Sequence, residues 1–263
     1  MTTILITGAN TGIGFQIVRA LSSSSQPYHI FVGARSAAKA NDAIKAVQDE
    51  FPSSSSQYSP VTIDIESDES IQSAVAQVSA AHGKLDVLIN NAGASFEPQL
   101  SSGEITEREL WDKSWRVNTT STQVMTSAFI PLLLKSSNPR LLFITSGTST
   151  LSGTVNQALA VNHAPAAGWP KGGFIGVPAY RSAKTGLNML MREWHRVLKE
   201  DGVKVFAISP GFLATGLGAG AEVTKKMGAG DPVVAGPFVR SVVEGERDGD
   251  VGRVLTRDGI QEW

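Results

Sequence analysis

The chain has 263 residues, 41% of them hydrophobic, with a formal net charge of −1 and no cysteine. That is enough apolar material for one large α/β domain or two small ones, and it excludes disulfides, thiolate metal sites and a cysteine nucleophile. The near-neutral balance argues against nucleic acid or an anionic membrane surface as partner, and no apolar run approaches the roughly 18 residues that span a bilayer; a soluble, cytoplasmic protein without a targeting segment is expected.

Strand and helix signals then alternate from end to end. Thr3-Ile4-Leu5-Ile6 is an uncharged apolar run that enters the turn Thr7-Gly8-Ala9-Asn10-Thr11-Gly12-Ile13-Gly14. An amphipathic helix follows over Phe15 to Leu21, with Ile13, Ile17 and Leu21 on one stripe. A buried strand, a glycine turn and a crossover helix make a pyrophosphate seat, because the turn admits a close backbone approach and the helix start offers free N–H groups. The spacing here is G-x-x-x-G-x-G rather than the common G-x-G-x-x-G. Further strands are expected at Tyr28 to Arg35, Val61 to Ile65, Leu85 to Asn90, Arg140 to Thr145, Val203 to Ile208 and Arg253 to Thr256. Helices are expected at Ser36 to Glu50, Ser67 to Ala81, Thr106 to Lys135, Tyr180 to Glu200 and Val233 to Glu244. Ser36 is a candidate N-cap, and the Ser/Pro-rich stretch from Phe51 to Ser59 is assigned to a loop. Ser149 to Pro178 is irregular, and Phe212 to Asp231 is glycine-rich and lid-like. With no second core and no linker, a single α/β domain with a parallel sheet covered on both faces is expected.

The end of the second strand addresses which dinucleotide binds. An NAD site places an acid there to accept from the ribose 2′-OH. This chain has Gly33-Ala34-Arg35, whose guanidinium pairs with a phosphate and favours NADP, although an ordinary exposed arginine would look the same. Asp64 has two readings, an acceptor for the adenine amino group or a helix cap.

The chemistry centres on Tyr180 and Lys184, four apart on one helix face. A phenol is a poor acid–base catalyst near neutrality, and an ammonium one turn away is expected to pull its pKa down. Ser146 ends the fifth strand, where open α/β sheets place ligand contacts, and its hydroxyl can polarise a substrate oxygen. Asn118 lies mid-helix, where propensity disfavours it and a polar network is implied. The four scattered histidines form no ligand cluster, so no metal is expected.

These residues together resemble a classical short-chain dehydrogenase/reductase. Thr7 to Gly14 is similar to the family's T-G-x-x-x-G-x-G, Asn90-Asn91-Ala92-Gly93 to its N-N-A-G, and Asn118, Ser146, Tyr180 and Lys184 to its catalytic tetrad. Ser209-Pro210-Gly211 with Thr215 resembles the segment that contacts the nicotinamide. The first strand and Asp258 to Trp263 look most like the carbonyl-reductase-like branch, fungal members included. The resemblance implies a Rossmann fold with a seven-stranded parallel sheet of order 3-2-1-4-5-6-7 and hydride transfer at the nicotinamide. Tyr180 would be the proton donor in reduction, Lys184 would hold the nicotinamide ribose, Ser146 would position the carbonyl, and Asn118 would anchor a relay water. The implied NADP(H) contacts are Gly8, Asn10, Thr11, Gly12, Ile13, Gly14, Arg35, Asp64, Ile65, Asn91, Ala92, Gly93, Tyr180, Lys184, Pro210, Gly211, Leu213 and Thr215.

One departure stands out. Ser146 and Tyr180 are separated by far more residues than is usual in the family, and the interval holds His163, Trp169 and Phe174. The insertion, about 149–178, either folds over the active site or packs as a surface loop. Candidate substrate contacts are Phe96, Thr148, His163, Trp169, Phe174 and Leu217. The expected function is NADPH-dependent reduction of a ketone or aldehyde. NADP-linked alcohol oxidation uses the same catalyst, and a non-catalytic NADP-binding regulator would typically lack the tyrosine or the lysine. The small-molecule substrate's identity and the choice between monomer and homodimer are open at this point.

Overall fold

A computed structural model describes residues 1–171 and 176–263. The strands are β1 (Thr2–Ile6), β2 (Tyr28–Ala34), β3 (Gln57–Thr62), β4 (Val87–Asn90), β5 (Arg140–Ile144), β6 (Lys204–Ile208), β7 (Val254–Thr256) and β8 (Gly259–Gln261). They form one sheet of order β3-β2-β1-β4-β5-β6-β7-β8. The first seven run parallel, and β8 pairs antiparallel with β7. The sheet thus carries an eighth strand beyond the seven expected. A hairpin across Arg257 and Asp258 makes it, and Arg247 clamps both arms by donating to the Thr256 and Gly259 carbonyls.

The helices are α1 (Gly12–Ser22), α2 (Ala37–Glu50), α3 (Asp68–His82), α4 (Glu97–Ser101), α5 (Glu107–Trp115), α6 (Ser121–Leu133), α7 (Pro178–Leu198), α8 (Ala221–Lys226) and α9 (Ala235–Val243). They cover both faces of the sheet. Ile4 and Ile6 of β1 face one core with residues of α1, α2 and α9, while Leu5 faces the other with residues of α3, α6 and α7. A strand buried on both sides needs no polar alternation, which is why β1 runs apolar from Ile4 to Ile6.

Three expectations are corrected. The helix expected from Thr106 to Lys135 is two helices joined by a π-helical turn, Arg116–Thr120. Asn118 causes part of this: its Nδ2 donates to the Ser114 carbonyl, the acceptor that an α-helical Asn118 amide would otherwise use. The third strand starts at Gln57, inside the expected loop, and contains Pro60. Proline is tolerated there because β3 is the edge strand. The lid-like stretch holds a short helix, α8, and the insertion holds the 3₁₀ turns Ser152–Val155 and Ala160–Asn162. Ser36 sits at the N-cap of α2 in extended conformation, but its side chain makes no capping bond. No helix among the described residues is long and apolar enough to cross a membrane.

Candidate active site

The carboxyl ends of the central strands carry the candidate residues to one edge of the sheet. Strand order reverses between β1 and β4, where an open α/β sheet leaves a crevice for ligand. Gly8 and Gly12 hold φ values of 62° and 54°, conformations that favour glycine. A Cβ on Gly14 would collide with the Gly8 carbonyl and lie 2.5 Å from Asn91 Nδ2. Thr7 joins this turn to the end of β4: its Oγ1 accepts from the Asn91 and Ala92 amides, each at 3.0 Å. Asn91 returns the link, its Nδ2 donating to the carbonyls of Thr7 (2.8 Å) and Gly8 (3.1 Å).

The ends of β2 and β3 close the other side of the crevice. Ala9 N donates to Gly33 O and Ile63 N to Ala34 O, which brings Arg35, Asp64 and Ile65 beside the glycine turn. Arg35 is exposed and makes no ion pair among the described residues. Asp64 accepts from the Glu66 amide, whereas Ser67 caps α3 by accepting from Ser70 N. The helix-cap reading of Asp64 is therefore corrected: the cap falls to Ser67. After β6, Pro210 and Gly211 lead to Leu213, which bridges to Gly230, and to Thr215, whose side chain comes within 3.7 Å of where a Gly12 Cβ would sit.

Four side chains face the middle of this edge. Asn118 is fully buried in its π-turn, donating to Ala94 O (2.8 Å) and accepting from Ala94 N (3.2 Å). A Cβ on Gly93 would lie 2.8 Å from Asn118 Oδ1 and 3.3 Å from Lys184 Nζ, so these two groups flank one small space. Lys184 Nζ donates to the Ile144 carbonyl at 2.8 Å and lies 5.8 Å from the centroid of the Tyr180 ring. Ser146 Oγ meets Thr148 Oγ1 at 2.9 Å.

The electrostatics depart from the simple expectation for Tyr180. Burial raises its pKa to about 12, the Ser146 hydroxyl works against that, and the Glu97 carboxylate adds to it. Burial also lowers Lys184 to about 8, because an ammonium away from water is disfavoured. The lowering expected from the lysine is not what sets this phenol: burial comes first, and the opposing pull comes from the Ser146 hydroxyl.

Thr148 is the substrate candidate that the fold brings to Ser146. Phe96 begins α4 with the Lys113 ammonium 5.8 Å over its ring, and Leu217 lies exposed in the lid-like stretch. His163 is spent on the Gln157 carbonyl inside the insertion, and Trp169 is 87% exposed, so neither is brought to the tetrad. Phe174 lies outside the described residues. No group of three or more metal-ligating side chains occurs among the described residues.

Several supporting residues escaped the sequence reading. Asn188 joins Thr145 Oγ1 (2.7 Å) to Ser149 Oγ (2.8 Å), pinning α7 under the serine loop. Gln261 of β8 donates to the Ser146 carbonyl at 3.3 Å. Arg181 donates to Thr148 O, Val161 O and Asn162 Oδ1, tying the insertion to α7. Glu97 accepts from the Tyr180 amide at 2.8 Å. All four act across long sequence separations and carry no local motif; a nearby signal existed only for Arg181, adjacent to the tyrosine.

A doubly wound sheet with a glycine turn and a Tyr/Lys/Ser/Asn cluster at its switch point defines a dinucleotide-dependent oxidoreductase scaffold. The chain matches the short chain dehydrogenase family model over residues 2–161 and 157–226. It is 48% identical over 269 aligned residues to the short-chain dehydrogenase/reductase eupG of Phoma sp., covering 98% of this chain and 96% of that one. Against tropE of Talaromyces stipitatus it is 44% identical over 260 residues, covering 97% and 95%. The fold is similar to NADPH-bound carbonyl reductase from chicken fatty liver, with a TM-score of 0.76, 22% identity and coverage of 100% and 99%. It is also similar to an actinorhodin polyketide ketoreductase with NADPH, with a TM-score of 0.73, 20% identity and coverage of 97% and 95%. The chain belongs to the short-chain dehydrogenase/reductase family, with close fungal relatives, and is an oxidoreductase of the kind that acts on CH–OH and C=O groups.

Proposed function

We propose that the protein reduces a ketone or aldehyde with an apolar body to the alcohol, using NADPH. The observation that carries this reading is the convergence of Tyr180, Lys184, Ser146 and Asn118 beside the glycine turn.

The residues fit the cofactor. The Gly14 position is a cradle that any side chain would fill, and Arg35 is exposed and free of ion pairs among the described residues. In this reading the Gly8 to Gly14 turn holds the pyrophosphate, and Asp64 and Ile65 line the adenine side. Arg35 holds the 2′-phosphate, and Pro210, Gly211, Leu213 and Thr215 line the nicotinamide side. When bound, the nicotinamide supplies a hydride to the carbonyl carbon. Tyr180 donates its proton to the carbonyl oxygen, and a phenol raised to about 12 stays protonated at neutral pH, as a donor must. Ser146 orients that oxygen, Lys184 holds the nicotinamide ribose, and Asn118 anchors a water that resupplies the proton through Lys184. In this reading the described part of the insertion, 149–171, and the lid, about 212–231, cover the substrate.

Separate titrations with NADPH and NADH, repeated on Arg35→Ala, test the cofactor assignment. NADPH is expected to bind at least about tenfold tighter, a difference of about 1.4 kcal/mol, and the substitution to remove most of that gap. Equal binding of NADH would overturn the assignment and favour alcohol oxidation.

A further inference from the structure

Helix α7 begins without a cap of its own. Val177 at its N-cap has no side-chain acceptor, and the first turn contains no acid. Four amides at a helix start lack partners within the helix. Here Pro178 has no N–H, and Arg181 N already closes the first turn on the Val177 carbonyl. The Tyr180 amide, inside the fold, is met by a residue 83 positions earlier, Glu97 Oε1, at 2.8 Å. Glu97 is 8% exposed, and its other oxygen accepts from Ser95 Oγ at 2.7 Å. The same short segment holds Asn118, which bonds both the amide and the carbonyl of Ala94.

We propose that Glu97 is a positioning residue for the reaction: through the segment from Ala94 to Glu97 it fixes Tyr180 and Asn118 in one frame. The inference rests on the reading of Tyr180 as proton donor. The contact also sets a carboxylate at the positive end of the α7 helix dipole.

The charge has a second consequence. The groups that act on the Tyr180 phenol are the Ser146 hydroxyl from the β5 loop, Lys184 from its own helix and, from its place at the Tyr180 amide, Glu97 of α4; Lys113 of α5 sits over the neighbouring Phe96 ring. Lys184 loses its proton from about pH 8 upward. In the alkaline range Glu97 is then the charge that opposes phenolate, and removing it moves phenol ionisation to lower pH.

The test compares Glu97→Ala and Glu97→Gln in the full chain. Rates are read with NADPH and 4-nitrobenzaldehyde as probe, and hydrogen exchange is followed at the start of α7. Glu97→Ala should lose about ten- to a hundred-fold in kcat with NADPH affinity unchanged, and its Tyr180 amide should exchange faster. Glu97→Gln keeps an acceptor oxygen, so it should recover most of kcat and the amide protection. Wild-type kcat and exchange in Glu97→Ala overturn the proposal, as does a Glu97→Gln variant that recovers neither. Tyr180→Phe, run beside them, separates the two ideas: if it turns over normally, the donor assignment fails, while the exchange data still judge Glu97.

Discussion

Replacing Thr7 with valine probes the seam between the glycine turn and the end of β4. Valine matches threonine in shape but has no oxygen to accept a hydrogen bond. Thr7 is 1% exposed, and its Oγ1 is the acceptor for both the Asn91 and Ala92 amides at 3.0 Å. The substitution opens no cavity and strands two donors in a part-buried turn. Each stranded donor costs about 1–3 kcal/mol, and partial burial places the pair near about 3 kcal/mol in total. For a chain of this size that corresponds to a melting temperature lower by about 6–12 °C. Cofactor affinity should fall as well, since Asn91 Nδ2 holds the Thr7 and Gly8 carbonyls that shape the turn. Thr7→Ser keeps the acceptor and should retain most of the stability. Thermal melts of the three proteins decide the matter. A valine variant that melts within about 1 °C of wild type would refute the reasoning.

The buried lysine makes a pH prediction. Lys184 falls from an ordinary 10.5 to about 8, so between pH 8 and 10 the unfolded chain holds a proton that the folded one has lost. Stability should therefore rise with pH in that window, by up to about 1.4 kcal/mol per unit, relative to Lys184→Met. Above pH 10 the phenol of Tyr180, raised to about 12, acts the other way. Urea unfolding of both proteins at pH 8 and pH 10 reads the difference, and a constant gap would contradict it. Arg181→Ala should free the insertion: removing bonds to Thr148, Val161 and Asn162 should speed proteolytic cleavage within it by about tenfold. KM for a carbonyl probe should rise while KM for NADPH stays put; unchanged cleavage and KM would show that the guanidinium does not anchor the segment.

Much of the molecule was legible in the sequence because its signals are local. The apolar run of β1, the glycine spacing after it and the four-residue step from Tyr180 to Lys184 each express a short-range geometric need. The parallel sheet followed from the alternation of strand and helix signals, and its strand order from the resemblance to the family. What escaped depends on partners that appear only in the folded chain. Pro60 disguised β3, and only its place at the sheet edge makes it acceptable. The π-turn at Asn118 looks like continuous helix until the side chain's bond to Ser114 O is known. Glu97 is an unremarkable acid in sequence, and the chain must fold before it meets the Tyr180 amide. The upward shift of the phenol was not legible for a related reason, since burial is a property of the assembled fold.

The central claim is that Tyr180 delivers the proton while hydride reduces a carbonyl. Its most direct test is NADPH oxidation with 4-nitrobenzaldehyde by wild type and Tyr180→Phe, with alcohol formation and NADPH affinity measured in parallel. The account predicts alcohol formed one-for-one with NADPH consumed, a rate about a hundred- to ten-thousand-fold lower in the phenylalanine variant, and unchanged cofactor affinity. Alcohol production by Tyr180→Phe at the wild-type rate would contradict it.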